Sequence, residues 1–116
     1  IIDDETEILN VLSRSLSRNS DFSVTTYSNP VTALSALSNS KADLVLLDIM
    51  MPQMNGLEVL EKLKAKDLEQ KVIMMTAYST LDKVLKSHKE GATNYVMKPF
   101  DSLQALEKKI LEVLKS

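Results

Sequence analysis

The chain has 116 residues, 44% of them apolar and 26% charged, with a formal charge of −2. This length suits one domain with its own core, and the composition excludes a disordered or fibrous chain. The charge argues against direct nucleic-acid binding, the absence of cysteine excludes disulfides and thiolate chemistry and fits a reducing, cytoplasmic setting, and no apolar run reaches the roughly 18 residues of a membrane span.

Ile1-Ile2 reads as the tail of a first strand running into Asp3-Asp4-Glu5. This start has neither the basic region nor the cleavage site of a signal peptide, and without an initiator Met a few residues of the first strand are expected to precede it. Ile8, Leu9, Leu12 and Leu16 then recur at helical spacing, which predicts a helix with one apolar stripe. The run 24–27 has strand length. Asn29-Pro30 reads as an N-cap followed by proline at the first helical position.

The continuously apolar run 44–47 predicts a strand covered on both faces, and Asp48 follows it directly. Pro52, Gln53, Met54 and Asn55 form a turn closed by Gly56, one of only two glycines. Leu57, Leu60 and Leu63 predict the next helix. Run 72–75 is a strand ending at Thr76, and Leu81, Val84 and Leu85 predict a helix closed by Gly91. The last strand, 95–97, leads to Lys98-Pro99. Asp101 is placed to cap a final helix striped by Leu103, Leu106, Ile110 and Leu114.

Strict alternation of strands and helices, without repeat or linker, implies one α/β domain over residues 1–116. Its parallel strands would be joined by right-handed crossovers, with helices on both faces of the sheet. In such sheets ligands bind at the carboxyl ends of the strands. Those ends supply Asp3-Asp4, Asp48, Thr76 and Lys98. Taken singly, each has an ordinary reading as a helix-start acid, a solvated strand-end acid, a strand-end hydroxyl or a surface lysine. Taken together they do not, because three converging carboxylates repel one another unless a cation lies among them. Carboxylate oxygens suit a hard ion such as Mg²⁺, with Mn²⁺ as a substitute.

These residues resemble the receiver domain of two-component response regulators. The resemblance rests on Asp3-Asp4-Glu5, the stretch from Leu47-Asp48 through Met50, Pro52 and Gly56, Thr76-Ala77 and Lys98-Pro99-Phe100, and it covers essentially the whole chain. It implies a flavodoxin-like, doubly wound sheet of five parallel strands in (βα)5 order. It also implies a phosphorylation-dependent switch, not a turnover enzyme, whose only chemistry is its own phosphorylation and dephosphorylation.

By the same resemblance Asp48 takes a phosphoryl group from a sensor histidine kinase or phosphotransfer protein. Asp4 binds Mg²⁺ directly, Asp3 acts mostly through a metal-bound water, and Asp48 and the Met50 backbone carbonyl complete the protein ligands. Lys98 pairs with Asp48 before transfer and with a phosphoryl oxygen after it, aimed inward by a cis bond to Pro99. Thr76 with Ala77 contacts the phosphoryl group, and Thr76 and Tyr95 form the switch pair. The readout is a changed surface on the fourth helix, fifth strand and fifth helix, which controls an output domain or downstream protein and offers a route to a phosphorylation-dependent homodimer.

Met50 and Tyr78, two residues beyond Asp48 and Thr76, are expected to tune hydrolysis of the acyl phosphate by shielding it from water. His88, on a helical stripe with Val84, reads as a packed or interface residue, and the six methionines read as packing. Three other readings are weaker. A haloacid-dehalogenase-like phosphatase needs an acid two residues after its nucleophile, where this chain has Met50. A flavodoxin-like cofactor module needs a glycine-rich phosphate loop, which is absent. An interaction module that had lost the chemistry would have no reason to fill every acidic, hydroxyl and ammonium position.

Overall fold

The computed structural model describes residues 1–67, 69–76, 94–98, 100 and 102–116, with Thr76 described by its backbone. Its elements follow in the order α1 (Thr6–Leu16), α2 (Pro30–Asn39), β1 (Val45–Asp48), α3 (Gly56–Lys66), β2 (Val72–Thr76), β3 (Asn94–Met97) and a C-terminal helix (Leu103–Lys115). The expected helix over Leu81, Val84 and Leu85, its Gly91 terminus and His88 lie outside the described residues.

The three strands are parallel in the order β1-β2-β3, with Asp48 opposite Met75 and Thr76 opposite Met97. Beside β1, Ile2 bridges both Leu47 and Tyr27 in parallel sense. Ile2 N donates to Leu46 O at 2.8 Å, Asp48 N to Ile2 O at 2.9 Å, and Tyr27 N to Ile1 O at 2.8 Å. The lateral order is therefore residues around Tyr27, then Ile2, then β1, β2 and β3. Chain order along the sheet reverses at Ile2, the topological switch at which a ligand crevice forms. The expected strand over 24–27 contracts to a bridge at Tyr27, because only the short Ile1–Asp3 segment lies beside it to supply ladder partners.

Alternation along the strands divides the core into two layers. Val45, Leu47, Val72 and Met74 face α2 and α3, burying Ala33, Val59, Leu60 and Leu63. Leu46, Ile73 and Met75 face α1 and the C-terminal helix, burying Leu12, Leu16, Leu106, Ile110 and Val113. All four residues of β1 are buried, as its unbroken apolar run implies. The buried stripes differ from the expected ones by a residue or two: Val59 in place of Leu57, and Val113 in place of Leu114.

Helix starts follow local chemistry. The Asn29 side chain accepts from Val31 N at 2.9 Å, with Pro30 at the first helical position. Asn55 caps α3 by accepting from Glu58 N at 3.0 Å. The C-terminal helix is capped by Ser102, whose Oγ accepts from Ala105 N at 2.9 Å; the expected cap, Asp101, lies outside the described residues. Ser102 has the extended backbone that an N-cap needs.

Candidate phosphoacceptor and metal site

Two loops and one strand end meet at the carboxyl edge of the sheet. Asp3 and Asp4 follow Ile2, Asp48 closes β1, and Lys98 follows β3. One carboxylate oxygen from each of Asp3, Asp4 and Asp48 lies within 4.8 Å of the others. Asp3 is fully buried and Asp48 is 4% exposed, whereas Asp4 is half-buried.

Lys98 brings one positive charge into this arrangement. Its Nζ donates to Asp3 Oδ2 at 2.7 Å, to Asp48 Oδ1 at 3.2 Å and to Glu5 Oε1 at 3.3 Å. The second Asp3 oxygen, Oδ1, accepts from Glu5 N at 2.9 Å. Burial pushes the Asp48 carboxyl up to about 7, and the Asp3 and Asp4 charges add to the effect against the pull of Lys98. Burial alone would lower the pKa of Lys98, but its hydrogen bond to Asp3 and the charges of Asp48 and Asp3 raise it above the ordinary lysine value.

Gly56 has a more specific role than permitting a turn. Its N–H donates to Ile49 O at 2.7 Å, so the first turn of α3 rests on the backbone that carries Asp48. A Cβ here would overlap the Asp48 carbonyl oxygen and would lie 2.7 Å from Ile49 Cα and 2.9 Å from Asp48 C. Glycine is required by close approach of two backbones. The loop between holds Met51 in the core, while Met50 is 52% exposed beside the rim.

The geometry brings Asp3, Asp4, Asp48 and Lys98 together. Tyr95 is half-buried in β3, opposite Met74, and packs against the core layer that faces α2 and α3. Thr76 ends β2 at the same sheet edge. Ala77, Tyr78 and Pro99, with its expected cis bond, lie outside the described residues. The reading missed two contacts: the shortest Lys98 hydrogen bond goes to Asp3, and Glu5 reaches the same ammonium. A cavity of about 690 Å³, lined in part by Phe22, Val24, Ala42 and Leu44, holds none of these residues. The acidic cluster and Lys98 sit at the carboxyl-end rim instead. Among the described residues no helix is long and apolar enough to cross a membrane.

Comparison with known proteins agrees with this geometry. The family model described as the response regulator receiver domain matches residues 1–111. The chain is 38% identical over 106 residues to the DNA-binding transcriptional regulator NtrC of Escherichia coli K12, covering 91% of this chain and 22% of that protein. It is 37% identical over 112 residues to the chemotaxis protein CheY of Listeria monocytogenes, covering 93% of this chain and 94% of that protein. Among solved structures, a CheY-like response regulator receiver domain protein from Methanospirillum hungatei JF-1 superposes with a TM-score of 0.91 at 33% identity, over 98% of this chain and 90% of that one. The chain thus spans about a fifth of the NtrC regulators and nearly all of CheY.

Proposed function

Because the chain belongs to the response regulator receiver domain family, we propose that residues 1–116 form one phosphorylation-dependent switch whose acceptor is the Asp48 carboxylate. The observation that carries this reading is the placement of Asp48 at the end of β1, with the Lys98 ammonium 3.2 Å from Oδ1 and the Asp3 and Asp4 carboxylates beside it. In the transfer, a bond forms between an Asp48 oxygen and phosphorus. The donor's bond to that phosphorus breaks, and its electron pair leaves with the donor.

The donor set fits a hard divalent cation. Three carboxylates with oxygens within 4.8 Å are too many for one ammonium to neutralise. Asp4, Asp48 and the Met50 carbonyl would hold Mg²⁺ or Mn²⁺. Asp3, with one oxygen on Glu5 N–H and the other on Lys98, would act through water. When bound, the ion supplies charge neutralisation for the transferring phosphoryl group. Lys98 keeps the acceptor oriented in the resting chain and follows a phosphoryl oxygen after transfer. Its compact charge on a flexible stem suits this movement.

Thr76, Ala77 and Tyr95 complete the proposal as phosphoryl contact and switch, and Met50 with Tyr78 as the water shield. Phosphorylation adds up to about two negative charges, the kind of local change that biases such a switch pair. The donor would be a histidine kinase or phosphotransfer protein in the cytoplasm. The output would be a domain or protein that reads the surface around β3 and the C-terminal helix.

Intact-mass spectrometry after incubation with acetyl phosphate tests this reading. We expect a Mg²⁺-dependent gain of one phosphoryl group on the native chain and none on Asp48→Asn. An adduct that persists in the variant would remove Asp48 as acceptor.

A further inference from the structure

Glu5 occupies the N-cap of α1, a position at which short polar side chains normally turn back to bond the first free N–H groups. Its backbone is extended, yet its side chain makes no capping hydrogen bond. Instead its Oε1 reaches Lys98 Nζ at 3.3 Å, across 93 residues of sequence. Its own N–H is held by Asp3 Oδ1 at 2.9 Å, which places the residue over the rim. The Glu5 side chain is 60% exposed while that of Lys98 is 13% exposed, so the carboxylate approaches the ammonium from the solvent side.

We propose that Glu5 is a positioning residue that tethers Lys98 in the resting state and slows phosphorylation of Asp48, an inference that rests on the acceptor reading above. Lys98 has three carboxylate partners, and an incoming phosphoryl oxygen must compete with them for its N–H groups. Asp3 is buried and Asp48 is the acceptor, so Glu5 is the partner whose grip can be released without uncovering a buried charge. Its negative charge would also repel an anionic donor. An exposed pair of this kind is weak, so the rate effect of releasing it is about two- to fivefold.

Two substitutions separate tether from field. Glu5→Gln removes the charge. Glu5→Asp keeps the charge but is one methylene shorter, and it supplies a better N-cap. The tether predicts that both variants take phosphate from acetyl phosphate with Mg²⁺ about two- to fivefold faster than the native chain, Glu5→Asp despite its undiminished charge and higher melting temperature. In the metal-free chain, the ¹⁵N signal of the Lys98 ammonium would shift in both variants.

A native rate in Glu5→Gln, or acceleration in Glu5→Gln alone, would overturn the tether, as would an unmoved Lys98 signal in both variants. Absence of any adduct on the native chain is a different result. It would reject the acceptor reading, and with it the role of the tether in phosphorylation.

Discussion

The Lys98 ammonium lies closer to Asp3, at 2.7 Å, than to Asp48, at 3.2 Å. Asp3 is fully buried, so its charge is tolerated only because this partner and the Glu5 N–H hold its two oxygens. Lys98 thus has a structural duty in the resting chain besides its proposed chemical one.

Lys98→Ala should therefore destabilise the metal-free chain. It leaves Asp3 and Asp48 uncompensated in a site from which water is largely excluded, and removal of one member of a buried pair costs several kcal/mol. We expect a loss of about 2–4 kcal/mol at pH 8, read by urea denaturation. Added Mg²⁺ should recover part of it, because the ion replaces the lost positive charge.

Asp48→Asn should have the opposite effect. With its carboxyl raised to about 7 in the folded chain, Asp48 holds a proton that the unfolded chain releases near pH 4. The folded state binds more protons across that interval, so stability falls as pH rises from about 4 to 7 and levels off above. Asparagine removes this penalty. Denaturation curves at pH 5 and pH 8 should show a gain of about 1–3 kcal/mol for the variant at pH 8 and less than half of that at pH 5.

The same titration governs the proposed metal. A protonated Asp48 is a poor ligand, so Mg²⁺ affinity of the native chain should rise between pH 6 and pH 8. Calorimetric titration at the two pH values checks this. Equal affinity would mean that Asp48 does not bind the ion.

Gly56→Ala tests the contact between α3 and the acceptor strand. In an ordinary helix position alanine is more favourable than glycine by about 0.5–1 kcal/mol. Here the added methyl group meets the backbone of Asp48 and Ile49. We expect a loss of about 2–4 kcal/mol in chemical denaturation. Slower phosphorylation should accompany it, because the acceptor's backbone must shift.

Ser102→Ala isolates the cap of the C-terminal helix. Loss of the bond from Ala105 N to Ser102 Oγ should cost about 1 kcal/mol of stability. Thermal melts of the variant and the native chain measure it.

The alternation of strands and helices, the two-faced burial of β1 and the chemical identity of the rim were all readable along the chain. Apolar periodicity and short uninterrupted runs are local properties, and a residue just after such a run must lie at a strand end. Asp3, Asp4, Asp48 and Lys98 could thus be gathered before any coordinates, and the Asn29 cap could be read from its own dipeptide. What needed the tertiary structure was every choice among near-equivalent partners. Several acids compete for Lys98, and only the packing of the Ile2 segment beside β1 sets Asp3 nearest. Ser102 caps the C-terminal helix because its backbone there is extended, a conformation its own residue type does not dictate. Gly56 is required by a helix resting on Asp48 and Ile49, a contact that no local pattern encodes. Glu5 reads locally as a helix-start acid, and its reach to Lys98 exists only because the fold brings the loop after Ile2 and the loop after β3 to one edge. Periodicity is a short-range signal, whereas partner choice depends on distances set by the whole sheet.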